Sequence, residues 1–138
     1  MANEELVAAV KNIIALAKAG KTDESYAGYA ALFSSAAFGA YPVSEQRQAL
    51  KFMVLAKGIP TFPSKAIADA HKKALTPLQA LIKAHDDPAD YELVGLCHVR
   101  AGDEASARVA FQKGLDLERA RNPQSPLCGQ LMKWVASV

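Results

Sequence analysis

The side chains that could do chemistry in this chain are three histidines, two cysteines and one adjacent pair of carboxylates. A zinc pair on a helix needs ligands at i and i+4. His71 and His85 stand a helical stretch apart, too far for that. Cys97 and His98 are neighbours, so on a helix they point to different sides and cannot readily share a metal. Neither C-x-x-C nor H-E-x-x-H occurs. Asp86 and Asp87 are adjacent carboxylates, but Asp87 is followed by Pro88, the signature of a helix cap rather than of acid–base machinery. No glycine-rich phosphate loop and no G-x-S-x-G elbow is present, and no nucleophile is matched to a base. The expectation is a chain that is not an enzyme and holds no metal and no cofactor.

The bulk properties bound the rest. A chain of 138 residues reads as one domain, spanning 1–138, with enough surface to bury for a proper core. Charged residues make up 22% and apolar ones 51%, a globular composition. The net charge of +2 is too mild, and the basic residues too scattered, to argue for nucleic acid or an anionic membrane. Cys97 and Cys128 read as reduced thiols. The first residues, Met1 to Glu5, lack a signal peptide's basic start, so the expected location is cytoplasmic.

The positioning elements read as helices throughout. Leu6, Val10, Ile13, Ile14 and Ala17 recur at helical spacing between an Asn3 cap and a Gly20 stop. A second helix is expected from a Thr22 cap to about Phe38. A third is expected from a Ser44 cap through Lys57, with Ala49, Phe52, Met53 and Ala56 as its apolar positions. Gly58 to Pro63 forms a stiff loop whose two prolines forbid helix. Ser64 caps a fourth helix, and at Thr76-Pro77 that helix either kinks or gives way to a second one. Asp87-Pro88 opens the next helix, Gly102 ends it, Asp103 caps its successor and Asn122-Pro123 ends that. Ser125-Pro126 begins a last amphipathic helix carrying Leu127, Leu131, Trp134, Val135 and Val138.

From Ser25 to Ser44 no residue is charged. Serines, glycines, tyrosines and a proline make this a poor transmembrane segment, so no membrane is expected. One reading buries the helix between neighbours. The other reserves a face with Tyr26, Phe33 and Phe38 for a partner or a second copy.

Tyr91-x-x-Val94-Gly95-x-x-His98, followed by Ala107-x-x-x-Phe111, resembles the tetratricopeptide (TPR) pattern W-x-x-L-G-x-x-Y with A-x-x-x-F. Gly95, Ala107 and Phe111 match outright. The repeat's proline would fall near Arg119, whereas the first proline is Pro123, so the second helix reads as about a turn longer. An echo lies upstream. Ala17 to Gly20 matches Val99 to Gly102, and Tyr29 follows Gly20 at the interval by which Phe111 follows Gly102. The two glycines stand farther apart than two repeats of about 34 residues would place them, so the middle carries extra length.

The resemblance implies an all-α, TPR-like right-handed stack of about three antiparallel helix pairs with a C-terminal capping helix. The clearest repeat would be 88–122, a weaker one 3–38 and a degenerate middle pair 44–86, closed by the cap at 125–138. In such a pair Gly95 would let the two helices approach closely, with Ala107 facing it. The first helices would line a concave groove formed by Val10, Ile14, Ala17 and Lys18 together with Ala89, Glu92, Leu93, Leu96, Val99 and Arg100. Glu92, Leu93 and Leu96 occupy positions where carboxylate-holding TPR domains use lysine and asparagine, so that specialisation is not expected here.

The implied function is non-catalytic protein–protein interaction, as an adaptor or scaffold holding a peptide or amphipathic helix in the groove. The alternative is a self-associating structural protein, a homodimer formed through the uncharged helix 26–38.

Overall fold

The computed structural model describes residues 3–138 and folds them into seven α-helices. These are α1 (Glu4–Lys18), α2 (Thr22–Ser34), α3 (Val43–Val54), α4 (Lys65–His85), α5 (Pro88–Arg100), α6 (Glu104–Arg121) and α7 (Pro126–Ser137), with a 3-10 turn at Phe38–Ala40. There is no strand among the described residues, and no described helix is long and apolar enough to cross a membrane.

Side chains fix most of the helix starts by satisfying orphan N–H groups. Asn3 accepts from the Leu6 amide at 3.0 Å, Ser64 from Ile67 at 3.3 Å and Asp87 from Ala89 at 2.9 Å. Asp103 accepts from Ser106 at 3.1 Å, and Ser125 from Leu127 at 3.0 Å. After α1 and α5 the chain turns through Gly20 (φ +80°) and Gly102 (φ +86°), the left-handed region that a side chain disfavours. Pro77 lies within a continuous α4, which resolves the choice between one helix and two.

Four boundaries, both ends of α2 and of α3, differ from expectation. Thr22 is the first residue of α2 rather than its cap, because the chain enters through Lys21 with no side-chain bond. The same helix ends at Ser34 instead of Phe38. The Ser34 hydroxyl donates back to the Ala30 carbonyl, and Ser35 turns extended and takes the Ala37 amide. Phe38 then folds inward on the 3-10 turn. In α3, Pro42 occupies the cap position and Ser44 falls inside the first turn, and the helix stops at Val54, short of Lys57.

Packing begins with two hairpins. In the first, Ser25 Oγ of α2 donates to the Ile13 carbonyl of α1 at 2.9 Å. In the second, a Cβ on Gly95 of α5 would fall 2.3 Å from the Phe111 ring of α6. The Phe111 ring is what lies against Gly95, and Ala107, one helical turn before it on α6, is fully buried. A second close approach lies about one helical turn away in the same hairpin, where a Cβ on Gly114 would stand 2.9 Å from the Tyr91 Cβ and 3.2 Å from the Pro88 carbonyl.

Between the hairpins, α4 packs on both α2 and α5, while α3 makes little contact with α4 and rests against α5. The cross-links give the directions. Arg47 and Val54 of α3 meet Asp90 and Arg100 of α5, start to start and end to end. Asn3 of α1 bonds Glu45 of α3, again at their starts. Asp23 and Tyr26 of α2 meet Ser64 and His71 of α4 in the same order. Helices α1, α3 and α5 therefore run one way side by side, and α2 runs parallel to α4. On the far side α7 packs on α6, its Trp134 ring stacked on Phe111 with 5.9 Å between centroids.

One hydrophobic cluster runs from Leu6 to Leu131. The uncharged stretch supplies its aromatic part: Tyr29, Phe33 and Phe38 are buried and in ring contact, 5.7 Å and then 5.1 Å apart. Of the two readings of this stretch, Phe33 and Phe38 follow the buried one. The exposed face of α2 carries Asp23 and Glu24 in its first turn and then small residues, Ala27, Ala31 and Ser34.

Candidate functional site

The face formed by the parallel helices α1, α3 and α5 carries the residues that the resemblance pointed to. It divides into two unlike parts.

The α5 part is engaged from within. Leu96 is buried in the core. The Glu92 carboxylate accepts the Trp134 Nε1–H at 2.9 Å, tying α5 to α7. Arg100 Nη1 donates to the Val54 carbonyl at the end of α3 and to His71 Nε2 at 3.1 Å. His71 Nδ1 lies 2.7 Å from the Ile67 carbonyl, which can only accept, so the proton sits on Nδ1 and Nε2 is free to accept from Arg100. Burial pushes the His71 pKa down to about 4; the Ile67 bond opposes this and the Arg100 charge adds to it. Burial also lowers the Arg100 pKa, opposed by Cys97 and Tyr26. Only Val99 of this group is open to solvent.

The α1 part is open. Leu6, Val10 and Ile13 point into the core, while Val7, Lys11, Ile14 and Lys18, at i, i+4, i+7 and i+11, form the adjoining row. Across from this row α3 presents Glu45, Gln48, Ala49 and Phe52. The two helices are joined at their starts by the Asn3 amide, which donates to Glu45 Oε1 at 2.9 Å. Beyond that link a cleft of about 270 Å³ separates them, floored by Leu6, Val10 and Ala49 and flanked by Val7 and Phe52. Ile14 and Phe52 also line a second hollow of about 320 Å³, which continues the cleft toward Ala17, Lys18 and Tyr26. Phe52 is 46% exposed and Val7 36% exposed, so the apolar walls reach the surface.

A third hollow lies on the other flank, between α4, α5 and α6. It is lined by Ile82, Val94, His98 and Val109. His98 is thus half-buried at a hollow's edge rather than enclosed between helices.

Of the predicted groove residues, Val10, Ile14 and Lys18 line the cleft and its continuation, while Glu92, Leu96 and Arg100 are used in holding the helices together. The residues missed are Val7, Lys11 and Phe52. Phe52 was legible as an apolar position of α3, but its exposure depends on how far α3 stands from α1.

The lining of the cleft is mostly apolar, with Lys11 and Glu45 as its charged side chains. Among the described residues no group of three or more His, Cys, Asp or Glu could hold a metal ion. Cys97 is fully buried, and burial raises its thiol pKa to about 12. Comparison with protein-family models, with curated proteins and with solved structures finds no match to this chain.

Proposed function

We propose that this chain is a non-catalytic, TPR-like helical-repeat module that binds another protein, serving as an adaptor or scaffold. Its working surface is the cleft between α1 and α3. The observation that carries the reading is the pair of parallel helices joined at one end and parted along an apolar cleft. A monomer gains by closing such a gap, at about 25 cal/mol per Å² of apolar surface, so a gap left open marks surface kept for something else. The parallel runs of α1, α3 and α5 and of α2 and α4 support a stack of helix pairs. The close Gly95–Phe111 approach supports the motif that suggested it. The middle pair is the irregular one. The loop from Leu55 to Ser64 lets α4 pack on α2 while α3 stays apart, and the cleft lies beside this irregularity.

The test is co-purification from the protein's own cells with wild type and with Val7→Glu/Phe52→Glu. Both side chains are solvent-exposed at the cleft, so the double variant should melt cooperatively near the wild-type temperature. Loss of a wild-type partner from the folded variant is the expected result. A partner set identical to that of wild type would rule the cleft out.

A further inference from the structure

We infer that the occupant of the α1–α3 cleft is an amphipathic helix whose apolar stripe is flanked by acidic residues. This inference rests on the cleft being the binding surface, and it adds the chemistry of the partner.

The floor and walls are apolar at Leu6, Val7, Ile14 and Phe52, with Lys11 and Lys18 alternating along the α1 row. From Val7 to Lys18 that row covers about 16 Å, the length of roughly three turns of a second helix. An amphipathic helix laid there buries anchors at i, i+3, i+4 and i+7 while its polar face stays in water. An extended strand would leave its backbone groups facing apolar walls with no sheet edge to pair with, because no strand occurs among the described residues.

The charge of the rim selects among amphipathic helices. Lys11 and Lys18 stand seven residues apart, two turns along the same edge of α1. Neither makes an ion pair among the described residues, where the bridges are Arg47 with Asp87 and Asp90, and Arg121 with Glu118. The acid lining the cleft is Glu45, at its far end, with one carboxylate oxygen already taken by the Asn3 amide. A partner carrying acids at i and i+7 beside its stripe would match both lysines. One carrying lysines there would face them at the same distance. Complementary charge of this kind chiefly sets selectivity and association rate, and it weakens with salt.

The test uses two synthetic peptides of about 18 residues with the same leucine stripe, long enough to show measurable helicity. One carries glutamates at i and i+7 beside the stripe, the other lysines. Each is labelled with fluorescein and titrated with the full chain in an anisotropy assay at low and at high salt. The expected result is tighter binding of the acidic peptide by about tenfold. That preference should shrink at high salt and vanish or reverse in Lys11→Glu/Lys18→Glu. Both lysines are exposed, and a melt shows that the variant stays folded. Equal binding of the two peptides overturns the acidic flank while leaving the cleft as the binding surface. Binding of neither overturns the inference, and the co-purification test then decides the underlying reading on its own. A wild-type chain that dimerises at assay concentration and is rendered monomeric by Phe52→Glu also overturns it, with a second copy as the occupant.

Discussion

Gly95 lies so close beneath the ring of Phe111 that a Cβ there would stand 2.3 Å, 2.5 Å and 2.7 Å from three ring carbons. Phe111 is fully buried and carries Trp134 stacked on its ring, so it has no room to retreat. Gly95→Ala gains about 1 kcal/mol of helix propensity. It also forces an overlap costing about 3 kcal/mol, the upper end for overpacking. The expected net loss is about 2 kcal/mol, read by urea denaturation with Trp134, the single tryptophan, as the fluorophore. An alanine variant as stable as its parent would contradict the close approach.

Arg47 and Asp90 offer an asymmetric pair. Arg47 Nε and Nη2 grip the carboxylate at 3.1 Å and 2.7 Å, yet Arg47 is 24% exposed and Asp90 only 1%. Asp90→Asn leaves a guanidinium that can turn to water, at an expected cost of about 1–2 kcal/mol. Arg47→Met strands a buried carboxylate, at about 3 kcal/mol. Chemical denaturation of both variants checks the order, and a larger loss for Asp90→Asn would refute the asymmetry.

Arg100 joins α5 to the last carbonyl of α3 and to His71 on α4. Arg100→Ala leaves both acceptors unmatched in a largely buried place, so a stability loss of about 2 kcal/mol is expected. A pure groove residue would change binding and leave the unfolding midpoint where it was.

His71 makes stability depend on pH. Its folded pKa, about 4, lies below the ordinary 6.5, so between those values the unfolded chain takes a proton that the folded one refuses. Stability is therefore full above pH 6.5 and falls as pH drops toward 4. The fall is on the order of 3 kcal/mol and levels off below that window for this group. His71→Gln keeps a donor for Ile67 and an acceptor for Arg100 without the titration. Unfolding curves across this range should lose that part of the slope in the variant; an unchanged slope would assign it to other groups.

Both cysteines are buried and free. Neither thiol should react with a thiol-specific reagent under native conditions, and both should react in denaturant. Rapid modification of Cys97 in the native protein would show that the α5–α6 hairpin opens far more often than its packing implies.

What the sequence determined by itself is local. A cap needs an oxygen next to orphan amides, a helix stop needs a residue that tolerates positive φ, and a helix shows its period. Asn3, Asp87-Pro88, Gly102-Asp103 and Ser125-Pro126 could therefore be read directly, as could the all-helical class; that the Phe111 ring is what lies against Gly95 could not. The early end of α2 could not be read this way, because a serine hydroxyl such as that of Ser34 can bond backward along its own helix as easily as forward. Tertiary structure alone decided how the helices share their faces. Leu96, Glu92 and Arg100 have the types and spacing of a groove, but α3, α4 and α7 converge on α5 and use them. Val7 and Phe52 have the types of a core, but α3 stands away from α1 at the end of a proline-stiffened loop and leaves them open. Burial depends on what arrives from elsewhere in the chain, and no periodicity within a single helix carries that information.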